Sequence, residues 1–333
     1  MKRILILGGT RFIGRAFLDL LEKQDKKYNV TLFNRGKTNA HLFPQFDRIV
    51  GDREDVKSLK KLMKTDWDYV IDFSAYYPNS LKELISGLKG KVGRYIFTST
   101  VSVYDFDNVK EGKKIKEKSP LLSCSKKERE DTSMATYGKR KVACEEVLQE
   151  ADWLDKIIFR PSVVFGKYDY TDRHYYWMYR TKKVNRIIVP DGGIQRANYT
   201  FVEDYAELVL RALKIKKHRT IYNATTHRPT SLQDMLESIA ETMKTKPEWI
   251  SVDNKMLKKH GVGGGRDGIA LWTGKDVLMF NHSKTEQDFD IQFYMMEDAL
   301  AKTVEYYESL GWEKPNYGWS TKKEQKLIKK LSL

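Results

Sequence analysis

The chain has 333 residues, of which 41% are hydrophobic, including seven Trp and nineteen Tyr; this is enough for a full core and excludes a disordered polymer. Sixty Lys and Arg against forty-five Asp and Glu give a net charge of +15, which favours anionic partners without choosing among dinucleotides, nucleotide sugars and nucleic acid. Two cysteines, Cys124 and Cys144, lack metal or redox spacing and point to a reducing cytoplasm, and no apolar run approaches the length of a membrane span.

Residues 3–7, Arg-Ile-Leu-Ile-Leu, read as a short buried strand, too brief for a signal peptide. They run straight into Gly8-Gly9-Thr10-Arg11-Phe12-Ile13-Gly14 and an amphipathic stretch to Lys23. Strand, glycine turn and helix form the context in which a backbone approaches a pyrophosphate at a helix N-terminus. Further strands are expected near 29–33, 48–50, 69–73, 93–98 and 156–160, alternating with helices, which predicts an α/β fold with a doubly wound parallel sheet. At the end of the second strand an acid would select NAD; this chain has Asn34, then Arg35 and Lys37. An arginine there suits a 2′-phosphate, so NADP is preferred over NAD.

Residues 105–132 are polar and Lys-rich and read as a surface excursion. Then comes Tyr137-Gly-Lys-Arg-Lys141, a phenol and an ammonium one helical turn apart, roughly 5–6 Å at Cβ. A cation fixed beside a tyrosine lowers its pKa towards the working range of an acid/base catalyst. Alone the spacing is weak; it gains weight from the glycine turn upstream.

Past Gly166 the pattern changes. Residues 168–180 carry six aromatics, most of them read as core of a second lobe, with Arg173 and His174 as candidates to meet a charged group. Ser231 caps a helix expected to run to Met243. The glycine-rich segment 261–268 lacks the Lys-Ser/Thr of a phosphate loop and reads as a mobile lid or hinge. The basic runs at 57–64, 110–118, 180–186, 214–219 and 322–330 read as solvated faces.

Taken together, the glycine turn, Gly51-Asp52, the run from Tyr69 to Ala75, the run from Tyr95 to Tyr104, Tyr137/Lys141 and Arg160-Pro-Ser-Val-Val-Phe-Gly166 resemble the extended short-chain dehydrogenase/reductase superfamily, NAD-dependent epimerase/dehydratase branch. The resemblance implies a Rossmann-type domain over 1–166, with 198–225 returning to it, and a smaller substrate-binding lobe from 167–197 and 226–333. It implies catalysis by Thr100, Tyr137 and Lys141. It places Asp52 and Arg53 at the adenine, Phe73, Ser74 and Ala75 beneath a ribose, and Pro161 and Val163 near the nicotinamide. Tyr76 and Tyr104 join Arg173 and His174 as substrate candidates; no metal is implied. The arginine that grips a nucleotide-sugar diphosphate in relatives corresponds to Ala197 here, with Arg196 one residue out of place.

Within the superfamily the likeness is greatest to a group that includes chloroplast stem-loop-binding proteins, carried by the glycine turn, residues 31–37, Gly51-Asp-Arg53 and residues 189–195. The resemblance implies members associated with RNA and, in plants, a degraded tyrosine motif, whereas Tyr137, Lys141 and Thr100 are all present here. The expected function is NAD(P)-dependent oxidation, reduction or epimerisation of a small hydroxylated substrate. RNA binding on a Rossmann scaffold and a non-catalytic NADP sensor are the alternatives, and a homodimer is left open.

Overall fold

Ile4 and Ile6 pack on one side of their strand and Leu5 and Leu7 on the other, all fully buried, as a strand covered by helices on both faces requires. In the computed structural model, which describes residues 1–24 and 27–332, this run is β1 (Lys2–Leu7). It is followed by α1 (Phe12–Glu22), β2 (Tyr28–Asn34), β3 (Asp47–Val50), α2 (Val56–Lys60), β4 (Trp67–Asp72), α3 (Pro78–Gly87), β5 (Val92–Thr98), α4 (Tyr137–Glu150) and β6 (Asp155–Arg160). Next come β7 (Val163–Phe165), α5 (Tyr175–Lys183), β8 (Arg186–Pro190), β9 (Arg196–Ala197), β10 (Tyr199–Phe201), α6 (Val202–Ala212) and β11 (Ile221–Asn223). The chain closes with β12 (Thr230–Ser231), α7 (Leu232–Met243), β13 (Glu248–Val252), α8 (Asn254–Lys259), α9 (Ser283–Phe289), α10 (Met296–Ser309) and α11 (Thr321–Lys330).

The main sheet has the order β11-β6-β5-β4-β1-β2-β3, every pair parallel. This is the Rossmann-type α/β architecture. Strand order reverses between β1 and β4, and ligands of open α/β sheets bind in the crevice beyond that point. Phe17, Leu18 and Leu21 of α1 cover one face together with Tyr205 and Val209 of α6. Leu59, Leu81, Leu84 and Leu148 cover the other.

A separate core fills the C-terminal lobe, where Trp177, Ile188, Leu236, Leu300 and Ile328 pack together. Tyr175, Tyr176 and Trp177 belong to it, so the reading of most aromatics in 168–180 as core holds. Ser231 accepts the Asp234 N–H at 3.0 Å and caps α7 as expected. The basic tail has a definite place: Glu324 of α11 is buried, accepts the Ile188 N–H at 2.8 Å and pairs with Arg180.

Two expectations are corrected. The 105–132 segment is not merely an excursion, because Ile115 and Glu117 are buried. The Ile115 N–H donates to the Met279 carbonyl at 2.8 Å, its carbonyl accepts from Asn223 Nδ2 at 3.2 Å, and Glu117 pairs with Lys284 at 2.8 Å. It stitches the edge strand β11 to residues 279–284. The glycine-rich 261–268 segment is not a free lid either. Ile269 N–H donates to Gly263 at 2.8 Å, Gly318 N–H to Arg266 at 2.7 Å and Trp319 N–H to Gly268 at 2.6 Å. The glycines allow that close backbone stacking: a Cβ on Gly264 would lie 2.2 Å from the Trp272 carbonyl oxygen.

Candidate active site

Beyond the β1–β4 switch lies a cleft of about 360 Å³ lined by Gly8, Thr10, Arg11, Asn34, Arg35, Lys37, Asp52, Arg53, Ser74 and Tyr76. The sequence-predicted cofactor residues thus converge. Their neighbours in the motifs do another job. Gly9 has φ +96°, and its missing side chain makes room for Leu18 and Ile6. A Cβ on Gly14 would meet Gly9 Cα at 2.6 Å, so α1 can approach β1 only with glycine there. Phe12 is buried, and Ile13 packs against the core. Phe73 packs on Phe17 with centroids 5.6 Å apart.

Arg11 and Tyr170 close over the glycine turn, the guanidinium carbon 3.3 Å from the ring centroid. One turn along α1, Arg15 stacks on Tyr168 at 3.8 Å, and the Tyr168 hydroxyl donates to Asp19 at 2.8 Å. This strap was not foreseen, since its partners are 149 or more positions apart and only the aromatic excess at 168–180 signalled it.

The floor of the cleft holds a second unforeseen network. Arg53 Nη1 donates to Asp72 at 2.7 and 3.0 Å and to Ser74 Oγ at 3.2 Å. Tyr95 donates its hydroxyl to the same carboxylate at 2.6 Å. Burial pushes the Asp72 carboxyl up, but Arg53 and the Tyr95 hydroxyl outweigh it and hold it below the usual range. An Asp ending an otherwise apolar buried strand was the available signal.

Tyr137 opens α4 beside this floor. Its ring lies 6.0 Å from Tyr76, and Thr100 sits buried at the end of β5, where its Oγ1 accepts the Ser102 N–H at 3.1 Å. Gly138 is required next to it: a Cβ there would lie 2.0 Å from the Ser102 carbonyl oxygen. Lys141 commits two of the three donors of its ammonium to backbone, the Thr98 carbonyl at 2.6 Å and the Ala75 carbonyl at 2.9 Å. Burial lowers its pKa to about 8. Burial also raises Tyr137, and the opposing influences are the Thr100 hydroxyl and the charge of Arg173. The expected lowering of Tyr137 by Lys141 is therefore corrected: the ammonium is turned to carbonyls, and burial moves the phenol up instead.

The other end of α4 carries a brace. Arg160 Nε and Nη2 donate to Glu145 at 2.9 and 2.5 Å, Ser99 Oγ donates to Glu145 at 2.5 Å, and Arg160 Nη1 reaches Tyr104 Oη and the Glu117 carbonyl, each at 3.0 Å. Pro161 lends its carbonyl to the Val101 N–H at 3.0 Å, and Val163 begins β7 half-buried.

Two substrate candidates are removed. Tyr104 is fully buried and donates to Asn223 Oδ1 at 2.5 Å. His174 is buried, stacked on Phe165 at 4.4 Å and edge-on to Tyr199 at 4.5 Å, and burial holds it neutral. Tyr76, 43% exposed, and Arg173 remain. Among the described residues no cluster has the composition to hold a metal ion, and no helix is long and apolar enough to cross a membrane.

The sequence profile of the NAD dependent epimerase/dehydratase family matches residues 4–225, from β1 to β11. The chain belongs to that family. It is 26% identical over 255 residues to the chloroplast stem-loop binding protein of 41 kDa b of Arabidopsis thaliana, a match covering 72% of this chain and 63% of that protein, less than two thirds of its length. Among solved structures it is similar to dTDP-glucose 4,6-dehydratase from Bacillus anthracis in complex with NAD, with TM-score 0.71, 17% identity, and 95% of this chain and 100% of that one covered. It is also similar to UDP-glucuronic acid 4-epimerase from Bacillus cereus in complex with UDP-glucuronic acid and NAD, with TM-score 0.69, 17% identity, and 92% and 99% covered. At these identities the likeness to the solved structures is one of fold.

Proposed function

We propose that this family member is an NAD(P)-dependent oxidoreductase or epimerase of a small hydroxylated, sugar-like substrate, with Tyr137 as its acid/base. The observation that carries the reading is that α4 brings Tyr137 to 6.0 Å from Tyr76, which lines the cleft, and ties Lys141 to the Ala75 and Thr98 carbonyls, next to Thr100. The cleft fits a dinucleotide: Gly8, at φ +101°, lines it with bare backbone, and Asn34 Nδ2, at the ribose position, is a buried donor without a partner among the described residues. Gly8, Thr10 and Arg11 would hold the pyrophosphate, Asn34, Arg35 and Lys37 the adenosine ribose, and Lys141 the other ribose. The nicotinamide supplies the hydride acceptor or donor. NADP is favoured over NAD by Arg35 and Lys37, which line the cleft with no acid at position 34; the solved relatives named above hold NAD.

Tyr137 exchanges a proton with the substrate hydroxyl, and Thr100 hydrogen-bonds the same oxygen. The same phenol gives this proton to a carbonyl oxygen in reduction and takes it back in oxidation. The test is a screen of sugar nucleotides, sugars and carbonyl compounds for NADPH or NADH oxidation, with Tyr137→Phe as the control. Turnover undiminished in that variant would refute the assignment.

The stem-loop binding relative supports a second reading, RNA binding on the same scaffold. Gel-shift titrations of a stem-loop and a scrambled control at two salt concentrations separate the two. A distributed +15 field gives weak, sequence-indifferent binding that collapses with salt; a recognition surface keeps its stem-loop preference at the higher salt.

A further inference from the structure

The glycine turn that lines the cleft is clasped from two sides, and the clasps meet on adjacent residues. On one flank Thr10 Oγ1 donates to the Thr38 carbonyl at 2.9 Å, and Asn39 Nδ2 donates to the Thr10 carbonyl at 2.8 Å. Both partners belong to the loop after β2, where a parallel sheet places it. The other flank differs, because it reaches the turn from the second lobe. The Arg11 guanidinium carbon lies 3.3 Å from the centroid of Tyr170, and Phe12 meets the same ring edge-on at 6.1 Å. The segment that delivers Tyr170 is footed on α1 through Tyr168 and Asp19. It is footed on α10 as well: Tyr168 meets Tyr306 with centroids 5.5 Å apart, and the Tyr307 hydroxyl donates to the Asp169 carbonyl at 3.1 Å. Tyr168 and Asp172 both take left-handed backbone, at φ +67° and +56°, which a side chain adopts only where its surroundings hold it. Arg11 itself lines the cleft, is exposed, and makes no side-chain hydrogen bond or ion pair among the described residues.

We propose that Tyr170 is a positioning residue for the dinucleotide, its ring holding the Arg11 guanidinium over the glycine turn to take the pyrophosphate. The affinity of the cofactor site then depends on the second lobe. A free arginine loses rotamer freedom when it grips a ligand, whereas one already stacked on an aromatic face has lost it beforehand. Stacking occupies the face of the guanidinium and leaves its edge, with the fork of donors, free for an anion. The bare backbone of Gly8 and the N-terminus of α1 supply the remaining donors. The same contact joins the two halves of the molecule. A ligand that shifts the 166–173 segment changes dinucleotide binding, and by linkage the dinucleotide changes the binding of that ligand by the same factor.

The proposal rests on the dinucleotide reading above, and its test separates the two. Isothermal titration measures NADPH and NADH against the parent, Tyr170→Leu, Tyr170→Phe, Arg11→Met and the double variant Arg11→Met/Tyr170→Leu. Tyr170→Leu should weaken both dinucleotides by the same factor, roughly 3- to 10-fold, the range for one side chain that must be ordered on binding. Both dinucleotides carry the pyrophosphate, so an equal loss marks it as the group that Arg11 grips. Tyr170→Phe keeps the ring and should rescue most of that loss. Arg11→Met should lose more than Tyr170→Leu, and adding Tyr170→Leu to it should cost nothing further. The proposal is overturned if Tyr170→Leu binds both dinucleotides like the parent, weakens NADPH alone, or loses further affinity in the Arg11→Met background. A loss that Tyr170→Phe does not rescue also overturns it. A parent that binds neither dinucleotide would overturn the cofactor reading itself, and the proposal with it.

Discussion

The two walls of the cleft are built on different principles. The wall proposed for the cofactor consists of short stretches within Gly8–Arg11, Asn34–Thr38 and Asp52–Glu54, each a loop that follows a strand of one parallel sheet. Much of what it offers is backbone: the bare turn at Gly8 and the N-terminus of α1. The wall proposed for the substrate consists of single side chains from distant places, with Tyr137 beside Tyr76 and Tyr170 over Arg11. Parallel-sheet topology positions the first wall without further help. The second needs buried side-chain braces, and removing one of them should disturb chemistry more than dinucleotide binding.

The largest effect that would sharpen this contrast is on Tyr137. Its replacement by Phe should lower kcat by the ~10²–10⁴-fold typical of a lost general acid while dinucleotide affinity, measured by fluorescence titration, stays within about twofold. Equal losses in both would show that the walls are not separable.

Glu145→Gln comes next. It leaves Arg160 buried without its carboxylate, and breaking such a pair costs about 3–5 kcal/mol. Because Glu145 lies on α4 and Arg160 ends β6, thermal or denaturant unfolding should register the loss, and kcat should fall with it. A variant as stable as the parent would mean that the brace is dispensable.

A smaller change is expected on the cofactor wall. Arg35 is exposed, so Arg35→Ala should leave folding intact and remove most of any NADPH-over-NADH preference, roughly tenfold for one charged hydrogen bond. Titration of both nucleotides against both proteins decides it, and a preference for NADH untouched by the substitution would defeat the NADP reading.

The smallest effect is a pH slope. Burial holds the pKa of His227 down, to about 4 instead of 6.5. Unfolded His227 therefore binds a proton in a window where the folded one does not, and stability falls as pH drops from 6.5 towards 4. Burial acts oppositely on Asp169 and Asp204, raising them to about 6 and about 7, so their contribution falls as pH rises through those values. Unfolding free energies of His227→Gln and the parent from pH 4 to 7 isolate the histidine. The variant's curve should be flatter towards the acid end by up to ~1.4 kcal/mol per pH unit, and parallel curves would rule the effect out.

Local sequence sufficed where the chemistry is local. Six strands, the glycine turn and the placing of Asn34, Asp52 and Ser74 around one cleft were readable, because an apolar run in a parallel sheet announces itself and the loops after such strands must share one edge. The Tyr137/Lys141 spacing was readable too, since i and i+4 share a helix face. What Lys141 does there was not: the Thr98 and Ala75 carbonyls that claim it are 43 and 66 positions away. Nor was the fate of Tyr104 and His174, whose types suit a cleft and a core equally until packing assigns them. The strap of Arg11 on Tyr170 and the Arg53–Asp72 pair belong to the same class. Each depends on which side chains meet across the fold and how far water is excluded there, and those are properties of tertiary structure rather than of any segment.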